Sequence, residues 1–269
     1  MCDALGAPAE FHARGTFAHI DTLQPNRSLN LEVGAWTDDT SMALCLAKSL
    51  TRTTPPSFSL EEQAGRYVSW FRTGYLSAVG YCFDIGVATR SALCIWERQP
   101  EEALGVVARD FAVESKCGNG SLMRVLPISL TYFRDESVAT RCARESSMPT
   151  HPHEMCQEAC ALYTLLVCRI LQWTEARDWG KSKAHLLSIV REFPYVNDKL
   201  RDTLADGEFV NKPREEISSS GYVLHTLEAA LWAFFTTATF EDGAVLVVNL
   251  GDDADTVAAV YGGLAGAWY

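Results

Sequence analysis

A chain of 269 residues with 48% hydrophobic content can bury a full core and is read as one domain over residues 1–269. Its formal charge of −11 excludes a general nucleic-acid or anionic-membrane binder, because phosphate contacts need clustered Lys and Arg. No basic leader or apolar run of about eighteen residues occurs, and nine cysteines lack a CxxC pair, so a cytoplasmic protein with reduced core thiols is expected.

Apolar residues recur at helical spacing in chain order, in SMALCLAKSL (41–50), LEEQAGRYVSWF (60–71), EACALYTLLVCRILQW (158–173) and YVLHTLEAALWAFF (222–235). The pattern predicts an all-α, compact multi-helix domain. Breakers separate the helices at Pro55 and Pro56, Gly118 to Gly120, Pro149 and Pro152, Pro194, and Ser218 to Gly221. The more polar stretch 176–220 reads as a surface excursion.

Two acidic clusters each head an apolar run: WTDDTSM at 36–42 and NLGDDADTVAAV at 249–260. Helix capping would use one acceptor per cluster. Each cluster instead offers two carboxylates plus Thr37 or Thr256. If the two helix starts converge, Asp38, Asp39, Asp253 and Asp255 repel unless cations neutralise them, and hard oxygen donors select Mg²⁺, Mn²⁺ or Ca²⁺ over zinc. VLVVNLGDDADTV also matches a strand followed by the nucleophile motif of haloacid-dehalogenase-type phosphatases, with Asp253, Asp255 and Val257 in register. That motif belongs after the first strand of a doubly wound sheet, and no βαβ alternation precedes it here.

Between the acidic clusters, Asp84 stands beside Gly86 in GYCFDIGVATRSAL, either capping the next helix or facing a ligand. The segment KCGNGSLMRVLPISL (116–130) is a glycine-rich turn before a helix, able to offer backbone N–H groups to phosphate, without the Gly-Lys-Ser/Thr of a Walker loop. In THPHEMCQEAC (150–160), His151, His153, Cys156 and Cys160 lack zinc-finger spacing. His151 is a candidate ligand contact at a helix start. Tyr222 follows Gly221 at another helix start, as a core anchor or a stacking ring.

Taken in order, CDALGAPAEF, WTDDTSMAL, CFDIG, GNGSLMRV, the Thr150–His151 pair, GYVLHTLEAALWAF and NLGDDADTVAAVYGGLAGAWY resemble the ADP-ribosylglycohydrolase family, also called the dinitrogenase-reductase-activating glycohydrolase type. The similarity runs from Asp3 to Tyr269. The resemblance implies an all-α fold and hydrolysis of the bond between ADP-ribose and a modified acceptor, either an ADP-ribosylated protein or a small ADP-ribosyl molecule, by a monomer. It implies two divalent ions, Mg²⁺ or Mn²⁺, on Thr37, Asp38, Asp39, Asp253, Asp255 and Thr256. It places Glu10 and Asp84 in acid–base roles and lays Gly118, Asn119, Gly120, Ser121 and Met123 along the ligand's diphosphate and ribose, with His151 and Tyr222 nearby. The rival is a catalytically silent ADP-ribose-binding or crystallin-like member. Against the family pattern, the helical segments usually flanking these motifs are absent, and Cys2 replaces a glycine, which predicts crowding in a tight turn.

Overall fold

The computed structural model describes residues 1–52, 58–177 and 180–269; Pro55 and Pro56 lie outside them. Among the described residues thirteen α-helices follow in chain order: α1 (Cys2–Gly6), α2 (Asp38–Leu50), α3 (Leu60–Thr73), α4 (Val87–Arg98), α5 (Pro100–Asp110), α6 (Leu126–Tyr132) and α7 (Glu136–Ser147). The second half holds α8 (Glu154–Glu175), α9 (Lys183–Glu192), α10 (Asp198–Leu204), α11 (Val223–Thr236), α12 (Phe240–Val248) and α13 (Ala254–Trp268). Among the described residues the β structure is two isolated bridges, Asn26 with Leu31 and Gly118 with Tyr222. The fold is all-α, as the periodicity predicts.

Helix α8 is the centre of the core. Its Cys156, Cys160, Leu162, Val167 and Cys168 are fully buried, and α6, α7, α11 and α13 pack around it. His153 caps α8 by accepting the Met155 N–H at 3.2 Å, so the neighbouring cysteines are core side chains. The VLVV of that run, residues 245–248, closes helix α12, which removes the strand that a phosphatase-type reading requires. The polar stretch 176–220 is more than a surface excursion. It contains α9 and α10, whose Leu186, Val190, Leu200 and Leu204 are buried against α8 and α11.

Close backbone approach positions the N-terminal helix. A Cβ on Gly6 would lie 2.6 Å from the Asp255 Cα, so only glycine lets α1 rest directly on the start of α13. Three residues earlier on the same face, Asp3 is thereby carried to the start of α2. Cys2 occupies a helix rather than a tight turn and packs on Gly262, where an added Cβ would lie 2.7 Å from its Sγ. The expected crowding does not arise.

Candidate active site

The starts of α2 and α13 meet α1 in a buried acidic cluster. Donor oxygens of Asp3, Asp39 and Asp255 all lie within 4.8 Å of one another. The Thr37 hydroxyl is 3.0 Å from Asp3, 2.9 Å from Asp39 and 3.1 Å from Asp255. One hydroxyl proton satisfies one of those three carboxylates. Asp3 is served otherwise, by the backbone N–H groups of Thr37 and Thr40 and by the Thr40 hydroxyl at 2.6 Å. Asp39 Oδ1 and Glu10 Oε2 are buried without a hydrogen-bond partner.

Capping does not explain these acids. Ser59, Asp135, Ser182, Asn197 and Thr239 each cap a helix with a side-chain oxygen, whereas the N-caps of α2 and α13, Thr37 and Asp253, make no such bond. A cap is worth about 1 kcal/mol, while an uncompensated buried carboxylate costs several kcal/mol. The electrostatics record that cost. Burial raises Asp38, Asp39 and Asp255 well above the ordinary carboxylate range, and neighbouring acids add to it. Burial, then Asp84, Asp38 and Asp253, lifts Glu10 to about 10. Protons or cations must therefore neutralise the cluster. Its donors are oxygens alone, two of them unpartnered, which fits a hard divalent ion rather than zinc.

Beside the cluster lies a cleft of about 720 Å³ lined by an acidic set, Glu10, Asp38, Asp84 and Asp253 with Thr256, and by a glycine-turn set, Gly118, Asn119, Gly120 and Met123 with His151. The two sets come from distant parts of the chain, Asn119 lying 134 residues from Asp253. They are joined where Asn119 donates to Thr226 at 2.9 Å and to Asp253 at 2.8 Å, and where the Asn119 N–H bonds the Gly221 carbonyl. Burial raises Asp84; Gly86, not Asp84, occupies the N-cap of α4. Thr37, Asp39 and Asp255 lie beneath the cleft rather than on its wall. Ser121 is fully buried behind the glycine turn, 2.8 Å from the Ser147 hydroxyl. Tyr222 lines a shallow pocket joined to the cleft through Gly118 and Gly221. A second cavity of about 730 Å³, between α2, α6 and α13, is walled mainly by apolar residues such as Leu44, Leu126 and Leu130. Asp3, Asp39 and Thr40 reach its lining from the acidic cluster, which therefore lies between the two cavities.

Three site residues escaped the sequence reading. Asp3 is the hub of the acidic cluster. At the cleft mouth, Phe11 is 68% exposed and Asp252 is exposed beside it, both on the cleft wall. Arg14 runs close to Asp252 but donates to the Leu250, Arg214 and Ile217 carbonyls.

Fold and cleft define an all-α protein with a buried acidic centre beneath a glycine-lined pocket. The sequence profile of the family described as ADP-ribosylglycohydrolase matches residues 1–269. The chain is 37% identical to an ADP-ribosylarginine hydrolase Tri1 of Pseudomonas putida (strain GB-1), covering 99% of this chain and 67% of the relative. It is 35% identical to the Tri1 of Serratia proteamaculans (strain 568), with 99% and 68% covered. An ADP-ribosyl-(dinitrogen reductase) glycohydrolase of Rhodospirillum rubrum is 26% identical, with 99% and 81% covered. A solved structure titled ADP-ribosylglycohydrolase-related protein complex superposes with a TM-score of 0.78 at 36% identity, covering 99% of this chain and 83% of that one. This chain belongs to the ADP-ribosylglycohydrolase family.

Proposed function

We propose that this protein is a hydrolase that releases ADP-ribose from ADP-ribosylated arginine, with two Mg²⁺ or Mn²⁺ ions at the acidic cluster. The observation that carries the proposal is the buried set of Asp3, Asp39 and Asp255 around one Thr37 hydroxyl, opening on a cleft with a glycine turn for a diphosphate. The two Tri1 relatives supply the arginine linkage. The cleft mouth suits it, because the Phe11 ring and the Asp252 carboxylate offer a π face and a negative charge to a guanidinium.

Thr37, Asp38, Asp39, Asp253, Asp255 and Thr256 would hold the ions, with Asp3 fixing Thr37 and Thr40 behind them. Bound there, the ions would polarise the ribose and lower the pKa of an attacking water. Glu10 and Asp84 both line the cleft and interact directly, so one can hold a proton while the other accepts one. In this reading Glu10 gives a proton to the leaving guanidine nitrogen as the anomeric C–N bond breaks. Asp84 takes the proton from water as the C–O bond forms. Asn119 ties the glycine turn to Asp253, so the diphosphate wall and the acidic wall hold a fixed separation.

Incubating the protein with Mg²⁺ or Mn²⁺ and a panel of arginine-linked, serine-linked and free ADP-ribosyl compounds tests the reading. Metal-dependent release of ADP-ribose from the arginine-linked substrate is the expected result. Binding of ADP-ribose without turnover of any linkage would instead favour a silent binder.

A further inference from the structure

Arg124 is 1% exposed, and among the described residues no carboxylate lies within ion-pair distance of it. Its guanidinium sits 4.4 Å over the Tyr67 ring. Its Nη2 donates to the Thr150 hydroxyl at 2.7 Å and to the Ser146 carbonyl at 3.4 Å. Thr150 Oγ1 is in turn 2.8 Å from His151 Nδ1.

The directions of these bonds follow from what each group can give. A guanidinium has donors and no acceptor, so the Thr150 hydroxyl accepts from Arg124. Its single proton has no other acceptor among the described hydrogen bonds, which directs it to His151 Nδ1 and leaves that nitrogen without a hydrogen. Burial and the Arg124 charge push His151 down to about 3, so the ring is neutral and its one N–H is at Nε2. That edge lies under the glycine turn. A Cβ on Gly120 would be 2.8 Å from His151 Cε1 and 3.3 Å from Nε2, and one on Gly118 would be 3.4 Å from Nε2. His151 is 3% exposed and lines the cleft, yet its Nε2 has no hydrogen-bond partner among the described residues.

We propose that Arg124 and Thr150 are positioning residues that lock His151 as the Nε2–H tautomer, presenting a neutral donor to a phosphate oxygen of a ligand seated along Gly118 to Gly120. The inference rests on the ADP-ribose reading for the identity of that ligand. A donor with fixed direction and no titration near neutrality holds a diphosphate with the same strength across physiological pH. The buried guanidinium, one hydroxyl behind the ring, polarises the chain toward the cleft and adds positive potential where the anion lies. Glycine at 120 is required by the same arrangement, since a Cβ there would lie 2.8 Å from His151 Cε1 and displace the ring.

The test is nitrogen-15 NMR of the imidazoles together with calorimetry of ADP-ribose binding in Mg²⁺. The wild-type protein is expected to show His151 as a pure Nε2–H tautomer; an Nδ1–H spectrum overturns the relay without any variant being made. Thr150→Val removes the hydroxyl at nearly constant shape and is expected to give mixed tautomers and about tenfold or more weaker ADP-ribose binding, the scale of a hydrogen bond to a charged group. Thr150→Ser should restore both. Unchanged affinity in Thr150→Val would overturn the donor role. Wild-type protein that binds no ADP-ribose would overturn the family-based ligand, while the spectrum would still decide the tautomer.

Discussion

Phe11 donates its backbone N–H to the Asp252 carbonyl at 2.8 Å, and both residues hold left-handed backbones, with φ of 62° and 55°. A reciprocal bond from the Asp252 N–H to the His12 carbonyl closes the pair. Each conformation is costly for a residue other than glycine, so the fold pays twice to present a ring and a carboxylate at one rim. Asp252→Asn keeps a residue that tolerates this backbone and removes the charge. We expect KM for ADP-ribosylarginine to rise roughly five- to tenfold with kcat little changed, and inhibition by ADP-ribose to stay as in the wild type. Phe11→Leu should raise KM by roughly two- to fivefold through loss of the π face. Equal kinetics in wild type and both variants would remove this rim from substrate recognition.

Metal uptake should depend on residues from all three converging helices. Asp38→Asn and Asp255→Asn each delete a charged oxygen from the cluster, and each is expected to weaken Mn²⁺ binding about tenfold or more by calorimetry. Gly6→Ala is expected to do the same without touching a carboxylate, because its methyl would drive α1 off the Asp255 backbone and take Asp3 with it. Wild-type affinity in Asp38→Asn and Asp255→Asn together would exclude the acidic cluster as the metal centre.

What was legible in the chain follows from which interactions are local. Helices with a clean apolar period, such as α2, α3, α8 and α11, could be read directly, and the two acid-rich helix starts stood out because they carry more carboxylate than a cap can use. Asp3 was hidden because its role arises from tertiary approach; the signal was Gly6 three residues on, on the same helix face. The VLVV run that closes α12 is too short for periodicity to separate helix from strand. The 176–220 region looked like surface because its buried residues, among them Leu186, Leu200, Phe209 and Ile217, are spread thinly between polar ones. Nothing local announces a left-handed Phe11 or Asp252.

The metal-free protein should lose stability as pH rises. Glu10, Asp38, Asp39 and Asp255 all have folded-state pKa values above those of the unfolded chain. Between the ordinary carboxylate value and the raised one, the folded state therefore binds more protons than the unfolded state, and stability falls with pH across that window. For Glu10 the window runs from 4.5 to about 10. Differential scanning fluorimetry in chelator should show Tm falling between about pH 5 and about pH 8, by about 2–4 °C for each kcal/mol lost. Mg²⁺ or Mn²⁺ should restore more at the higher pH, where fewer protons compete for the oxygens. A Tm independent of pH in chelator would contradict the burial of these acids.

Separating binding from turnover falls to Asp84. It lines the cleft together with Gly118 and Asn119, lies outside the Asp3, Asp39 and Asp255 group, and is not the N-cap of α4. Asp84→Ala should therefore keep Mn²⁺ affinity and still bind ADP-ribose, because the acidic cluster and the glycine turn are untouched. Hydrolysis should nevertheless fall by about 10²-fold or more, the scale of losing a positioned base. A fall in kcat at nearly constant ligand affinity would place Asp84 in the transition state rather than in uniform binding. Glu10→Gln provides the contrast. Glu10 is 5% exposed with an unpartnered Oε2, so the amide removes the proton donor at constant shape and removes the cost of protonating this carboxyl on folding. Turnover should fall while thermal stability in chelator rises. If Asp84→Ala turns over at the wild-type rate and Glu10→Gln alone is inactive, both proton transfers pass through Glu10.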